Sequence, residues 1–144
     1  MSDSVLHVPR DQLIETVSRL RSEGYVSAMD VTAVDYLEHP VRGDLSDEIT
    51  AERFELVVTL ISYEARTRIR LRVQVPADDP VVPTLFDLYP GTEALEREVA
   101  DMFGIIFEGH PDPTRILMPP DWQGHPLRKD FSVGCIPVQF KATR

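Results

Sequence analysis

The chain has 144 residues, a net charge of −9 and an isoelectric point near 4.8. That length suits one domain, and the acidity argues against a nucleic-acid binder, which meets phosphates with clustered Lys and Arg. A hydrophobic share of 42% argues against global disorder, and the single cysteine, Cys135, excludes an internal disulfide or a cysteine-ligated zinc or iron–sulfur site made by this chain alone.

The first residues, Met1 to Ser4, show no basic segment leading into an apolar run, so no secretory leader is expected. The apolar runs fall short of a membrane span, and the expected setting is cytoplasmic and reducing. Residues 9–23 predict a helix, with Leu13, Ile14, Val17 and Leu20 on one face, Pro9 in the first turn and Gly24 as the stop. Residues 25–37 predict a strand with Val26, Ala28, Val34 and Tyr36 turned inward. Residues 39–51, with Pro40, Gly43, Asp44 and Asp47, predict a polar loop. Residues 53–63 predict a strand apolar on both faces. After a turn at Glu64, Ala65 and Arg66, residues 67–75 alternate cleanly, with Ile69, Leu71, Val73 and Val75 opposite Arg68, Arg70, Arg72 and Gln74.

Residues 83–88 predict a short helix. A second main helix follows Thr92, its expected N-cap, and runs to about Phe103 with Leu95, Val99, Met102 and Phe103 inward. Glu93 with Arg97, and Arg97 with Asp101, are spaced as i,i+4 pairs, and Gly104 ends the helix. The expected fold is α+β: a small antiparallel or mixed sheet of three to four strands, two main helices packed on it, and an extended Pro-rich C-terminal arm. The domain occupies residues 1–108 and the arm residues 109–144. Pro111, Pro113, Pro119, Pro120, Pro126 and Pro137 forbid regular structure in the arm, yet it carries Ile116, Leu117, Met118, Trp122, Leu127, Phe131, Ile136 and Phe140. Such an arm buries its apolar residues against a partner or against its own core.

The inventory for chemistry is thin. His110 and His125, near Asp112 and Asp121, allow a stand-alone metal-dependent enzyme, but their spacing matches no zinc motif and Gly-His-Pro is also a turn. Glu98 and Asp101 share a helix face as i,i+3 neighbours. With Glu96 they read as a solvated or interface face rather than an acid–base pair. The stripe of Arg68, Arg70 and Arg72 is either solvated or covered by acids of this chain or of a partner. Arg128, Lys129 and Asp130 form either an interfacial ion pair or a solvated turn. There is no glycine-rich phosphate loop and no nucleophile elbow.

The run Glu96-Arg97-Glu98, Asp101-Met102-Phe103-Gly104-Ile105, Phe107-Glu108-Gly109-His110-Pro111-Asp112 and Gly124-His125-Pro126-Leu127-Arg128-Lys129-Asp130-Phe131 resembles the signature of the 30-kDa subunit of respiratory complex I, the C-type subunit of bacterial proton-pumping NADH–quinone oxidoreductase. The resemblance implies a non-catalytic, hydrophilic subunit of the peripheral arm on the cytoplasmic face of the cell membrane. It implies docking on the hydrogenase-like large subunit (49-kDa or D-type), near the quinone site and beside iron–sulfur subunits. No cofactor is expected on this chain, while the complex carries FMN, iron–sulfur clusters and quinone. An equivalent subunit of a membrane-bound hydrogenase, or of a ferredoxin- or F420-linked relative of complex I, is the alternative. By resemblance an interface role falls on Glu96, Arg97, Glu98, Asp101, Phe103, Gly104, His110, Asp112, Arg115, Trp122, Gly124, His125, Arg128, Lys129 and Asp130.

Overall fold

The computed structural model describes residues 2–39, 42–43, 45–46, 48–132 and 134. Pro40, Asp44 and Asp47 of the polar loop, and Cys135, Ile136, Pro137 and Phe140 of the arm, lie outside them. In chain order the elements are β1 (Ser2–His7), α1 (Leu13–Ser22), β2 (Ser27–Asp35), β3 (Phe54–Ser62), β4 (Thr67–Val75), β5 (Val81–Pro83), α2 (Glu93–Phe103) and β6 (Ile106–Glu108). Four strands make one sheet in the order β1-β4-β3-β2, with β1 parallel to β4 and the other pairs antiparallel. β5 and β6 form a separate parallel pair. This is the expected α+β arrangement of a mixed sheet with two main helices.

The sheet's inner face and the helices close one core. Leu56, Val58 and Leu60 of β3 and Leu71 and Val73 of β4 are wholly buried, and they share a cluster with Leu13, Val17 and Leu20 of α1 and Val99, Met102 and Phe103 of α2. The alternation in β4 is as expected, since period 2 puts Ile69, Leu71, Val73 and Val75 on one face.

Four local expectations are corrected. β1 gave no signal because its residues are mostly polar and its partner lies some 65 positions away, Asp3 facing Arg68 and Val5 facing Arg70. β2 buries Val31, Ala33 and Asp35, while Val26 is exposed and Ala28, Val34 and Tyr36 are only partly buried. The cause is a bulge: Ala28 faces Leu60, Asp30 faces Thr59, and Met29 is left over. One extra residue flips every later side chain to the other face. α1 starts after a 3-10 turn at Arg10–Gln12, which leaves Pro9 outside, and Ile14 is 38% exposed because the i, i+4, i+7 stripe of Leu13, Val17 and Leu20 already fills the contact. Residues 83–88 form no helix. Val81–Pro83 is β5, and the following turn drops Leu85 and Tyr89 into the core.

On the sheet's outer face, the arginine stripe of β4 meets acids of its own chain. Arg68 makes two bonds to Asp3, at 2.8 and 2.9 Å. Arg72 reaches the buried Glu55 at 2.7 Å, and Arg42, folded back from the polar loop, reaches it at 3.0 Å. Arg70 stays exposed.

Candidate functional site

Helix α2 ends at Phe103 because Gly104 adopts the left-handed conformation, φ +74°. A helix end leaves its last carbonyls without partners, and here the arm supplies them. His125 Nδ1 donates to the Asp101 carbonyl at 2.9 Å, the Leu127 amide to the Met102 carbonyl at 3.0 Å, and Arg128 Nε to the Phe103 carbonyl at 2.5 Å. Arg128 Nη2 also lies 3.5 Å from the Gly104 carbonyl. A carbonyl can only accept, so His125 carries its proton on Nδ1 and leaves Nε2 as an acceptor. Burial pushes the His125 imidazole below its usual range, opposed by its bond to the Asp101 carbonyl and reinforced by Arg128 and Arg115. A Cβ on Gly104 would collide with the Arg128 guanidinium and stand 2.6 Å from His125 Nε2, so only glycine permits this closure.

The carboxylate of Asp101, fully buried, organises the start of the arm. Its Oδ2 accepts the consecutive amides of Ile116 at 3.1 Å, Leu117 at 2.8 Å and Met118 at 2.9 Å, and its Oδ1 pairs with Arg115. Burial alone would raise this carboxyl. The Met118 amide, the Arg115 guanidinium and the amides of Leu117 and Ile116 outweigh it and hold the group below the ordinary carboxylate range. Arg115 Nη2 continues to the Gly124 carbonyl at 3.0 Å. Arg97 therefore does not pair with Asp101. It bonds Glu93 at 3.0 Å, lies 3.5 Å from Asp112, and donates to the carbonyls of Thr114 and Arg115.

Glu96 is the second carboxylate sealed inside. It accepts from the Leu85 amide at 2.8 Å and from the Thr84 hydroxyl at 2.5 Å. The Thr92 hydroxyl lies 2.9 Å from Glu96 and 3.0 Å from the Tyr89 carbonyl, so Thr92 occupies the N-cap position without bonding a helix amide. His110 donates from Nε2 to the Glu93 carbonyl at 3.0 Å and accepts the Asp112 amide on Nδ1 at 3.1 Å. His110 thus sits on the first turn of α2 and His125 on its last. Their anchoring carbonyls are eight residues apart, about 12 Å along a helix axis, and both residues line one cavity beside the helix. Among the described residues no group of three His, Cys, Asp or Glu could hold a metal ion, and no helix is long and apolar enough to cross a membrane.

The arm's last described turn returns to the sheet. The Lys129 amide donates to buried Asp35 at 2.9 Å, and Arg53 bonds both Asp35, at 2.9 Å, and Asp130, at 2.8 Å. Gly124, at φ +85°, packs against Phe131. Eleven of the residues singled out by resemblance (Arg97, Asp101, Gly104, His110, Asp112, Arg115, Gly124, His125, Arg128, Lys129 and Asp130) thus take part in holding the arm to α2 and to β2, while Glu96 ties residues 84–85 to α2. Phe103 lies in the core, Glu98 faces outward, and Trp122 is half-buried with no hydrogen-bond partner for its indole N–H among the described residues. Asp35 and Arg53 were missed by sequence reasoning. An acid among the inward positions of a strand was the available signal, hidden by the misread register of β2.

This network fixes a surface. Ile116, Leu117 and Leu127, whose backbones hang on Asp101 and Met102, are 40%, 59% and 50% exposed, and Ile106 beyond the helix end is 58% exposed. A cavity of about 320 Å³ opens at Ile106, lined also by Glu96, Asp101, His110, Arg115 and His125 among others.

The family described as "Respiratory-chain NADH dehydrogenase, 30 Kd subunit" matches residues 6–135. The C-type subunit of the NADH-quinone oxidoreductase of Saccharopolyspora erythraea is 43% identical over 138 residues, covering 94% of this chain and 51% of that protein. This chain spans about half the length of the curated relatives it matches. A solved trypsin-resistant fragment (1-134) of Nqo5 is 36% identical with a TM-score of 0.66, covering 75% of this chain and 80% of that one. A chain in the structure of the membrane-bound sulfane sulfur reductase, an archaeal respiratory membrane complex, is 29% identical with a TM-score of 0.75, covering 92% and 74%.

Proposed function

This chain belongs to the family of the respiratory-chain NADH dehydrogenase 30-kDa subunit, and from that premise we propose that it is a non-catalytic peripheral-arm subunit of a proton-translocating NADH–quinone oxidoreductase. It docks on and steadies the hydrogenase-like large subunit near the quinone site, at the cytoplasmic face of the membrane. FMN, the iron–sulfur clusters and quinone belong to other subunits. The arm from residue 109 onward is the docking unit and residues 1–108 are the body that carries it.

The observation that supports this reading most is the exposed apolar set Ile106, Ile116, Leu117 and Leu127 on rigidly bonded backbone. Large apolar side chains held in place around one helix end are what a protein partner buries. Of the candidate acids and histidines, Asp101, His110 and His125 are engaged in holding the arm. A second reading, an equivalent subunit in a relative of complex I with a different electron donor, draws on the higher TM-score to the sulfane sulfur reductase complex.

The test is Leu117→Asp in a tagged chain expressed in its own cell. Tyr63→Asp, at an equally exposed position on the β3–β4 hairpin, is the control. The expected result is loss of co-purifying subunits for Leu117→Asp alone, with both purified variants melting like the parent. Equal recovery of partners by all three chains would remove the apolar set from the interface.

A further inference from the structure

Arg128 carries a positive charge that no described residue of this chain neutralises directly. Its side chain is half-buried and its bonds go only to neutral acceptors, the carbonyls of Phe103 and Gly104, with its guanidinium 5.2 Å from the Phe54 ring. Among the described residues no carboxylate lies within ion-pair distance of it. The two nearby carboxylates, Asp35 and Asp130, are both taken by Arg53. Lys129, exposed, adds a third cation, so Arg53, Arg128 and Lys129 face Asp35 and Asp130 and leave one positive charge over. This island stands in a chain whose net charge is −9. Burial and the neighbouring Arg53 both disfavour the charged form of Arg128, while Asp130 and Asp35 favour it. A desolvated cation without a counter-ion is costly, and an incoming carboxylate relieves the cost.

Resting on the docking role above, we propose that Arg128 is an electrostatic anchor of the interface and receives a carboxylate side chain of the partner subunit, next to the apolar contact made by Leu127. Nη1, the guanidinium nitrogen that no carbonyl of α2 engages, is the donor that this carboxylate meets. Charge-assisted bonds of this kind fix register between two surfaces as well as affinity. Arg128 therefore has two roles: its Nε and Nη2 close the end of α2, and its remaining donor reads the partner.

The test uses the tagged chain in its native complex. Zero-length carbodiimide coupling, which joins an amine to a carboxylate in contact, is applied to the wild-type complex and read by mass spectrometry. Lys129, adjacent to the anchor, is expected to couple to an Asp or Glu of a partner chain. Arg128→Gln is expected to weaken retention of the partner by about tenfold or more and to flatten the dependence of retention on salt, while Arg128→Lys, which keeps the charge, retains more partner than Arg128→Gln. The melting temperatures of both isolated variants separate a loosened helix end from a lost contact. Coupling of Lys129 only to carboxylates of its own chain, with Arg128→Gln retaining partner and salt response like wild type, overturns the anchor and leaves the docking role standing. A wild-type chain that retains no partner overturns both.

Discussion

The Asp101 carboxylate accepts the Leu117 amide at 2.8 Å, across sixteen positions of sequence. One acid on the last turn of α2 gathers three consecutive amides and Arg115, and so decides where the arm begins its path. Asp101→Ala strands a half-buried guanidinium and three amides. It is expected to cost about 3–5 kcal/mol of stability, read by denaturant unfolding. A loss under about 1 kcal/mol, the scale of an exposed pair, would mean the arm is not held there.

The arm is held at two independent points, and hydrogen exchange distinguishes them. Asp35→Asn is expected to speed exchange at the Lys129 amide and leave Ile116, Leu117 and Met118 protected. Asp101→Asn is expected to do the reverse. Simultaneous loss of protection at both places in either variant would show a single cooperative clamp instead.

Acid should loosen the arm before it melts the core. Burial would raise the Asp35 carboxyl, but Arg53 and the amides of Lys129 and Leu37 hold it below its usual value, as the amides and Arg115 do for Asp101. A carboxyl lowered on folding contributes stability that is complete above its unfolded pKa, about 3.9, and is lost as pH falls through the folded value. Melting temperature is therefore expected to be flat near neutrality and to fall steeply below about pH 4. The slope should be shallower in Asp35→Asn and in Asp101→Asn. Identical slopes in all three chains would locate the acid sensitivity elsewhere.

Of the glycines, Gly104 leaves the least room for a side chain. Gly104→Ala meets both a left-handed backbone and the side chains of His125 and Arg128. It is expected to cost more than Gly24→Ala, where φ is +98° but the nearest atom, Ser62 Oγ, stands 3.6 Å away. Backbone strain alone is about 1–2 kcal/mol. The excess at Gly104, measured by thermal unfolding, reports the cost of displacing the helix cap. Equal losses at the two sites would mean that His125 and Arg128 move aside freely.

What sequence could and could not reveal follows from the range of the forces involved. Local periodicity marked α1, β3, β4 and α2, because hydrophobic spacing is written within each segment. The register of β2 was hidden by a single bulged residue, Met29, which no pattern of alternation announces. β1 was hidden because a short polar strand is defined by its neighbour, β4. Glu96 and Asp101 read as surface acids because their partners, the amides of Leu85 and of Ile116 to Met118, belong to segments brought close only by the fold. The signature run pointed to the right family, while the structure shows most of its polar residues bonded within the chain.

The most direct measurement is gentle affinity purification of the tagged chain from native membranes, with every co-purifying chain identified by mass spectrometry. A docking subunit of complex I is expected to bring down a hydrogenase-like large subunit together with flavin- and NADH-binding chains. Recovery of the tagged chain alone, folded and without partners, would contradict the docking role.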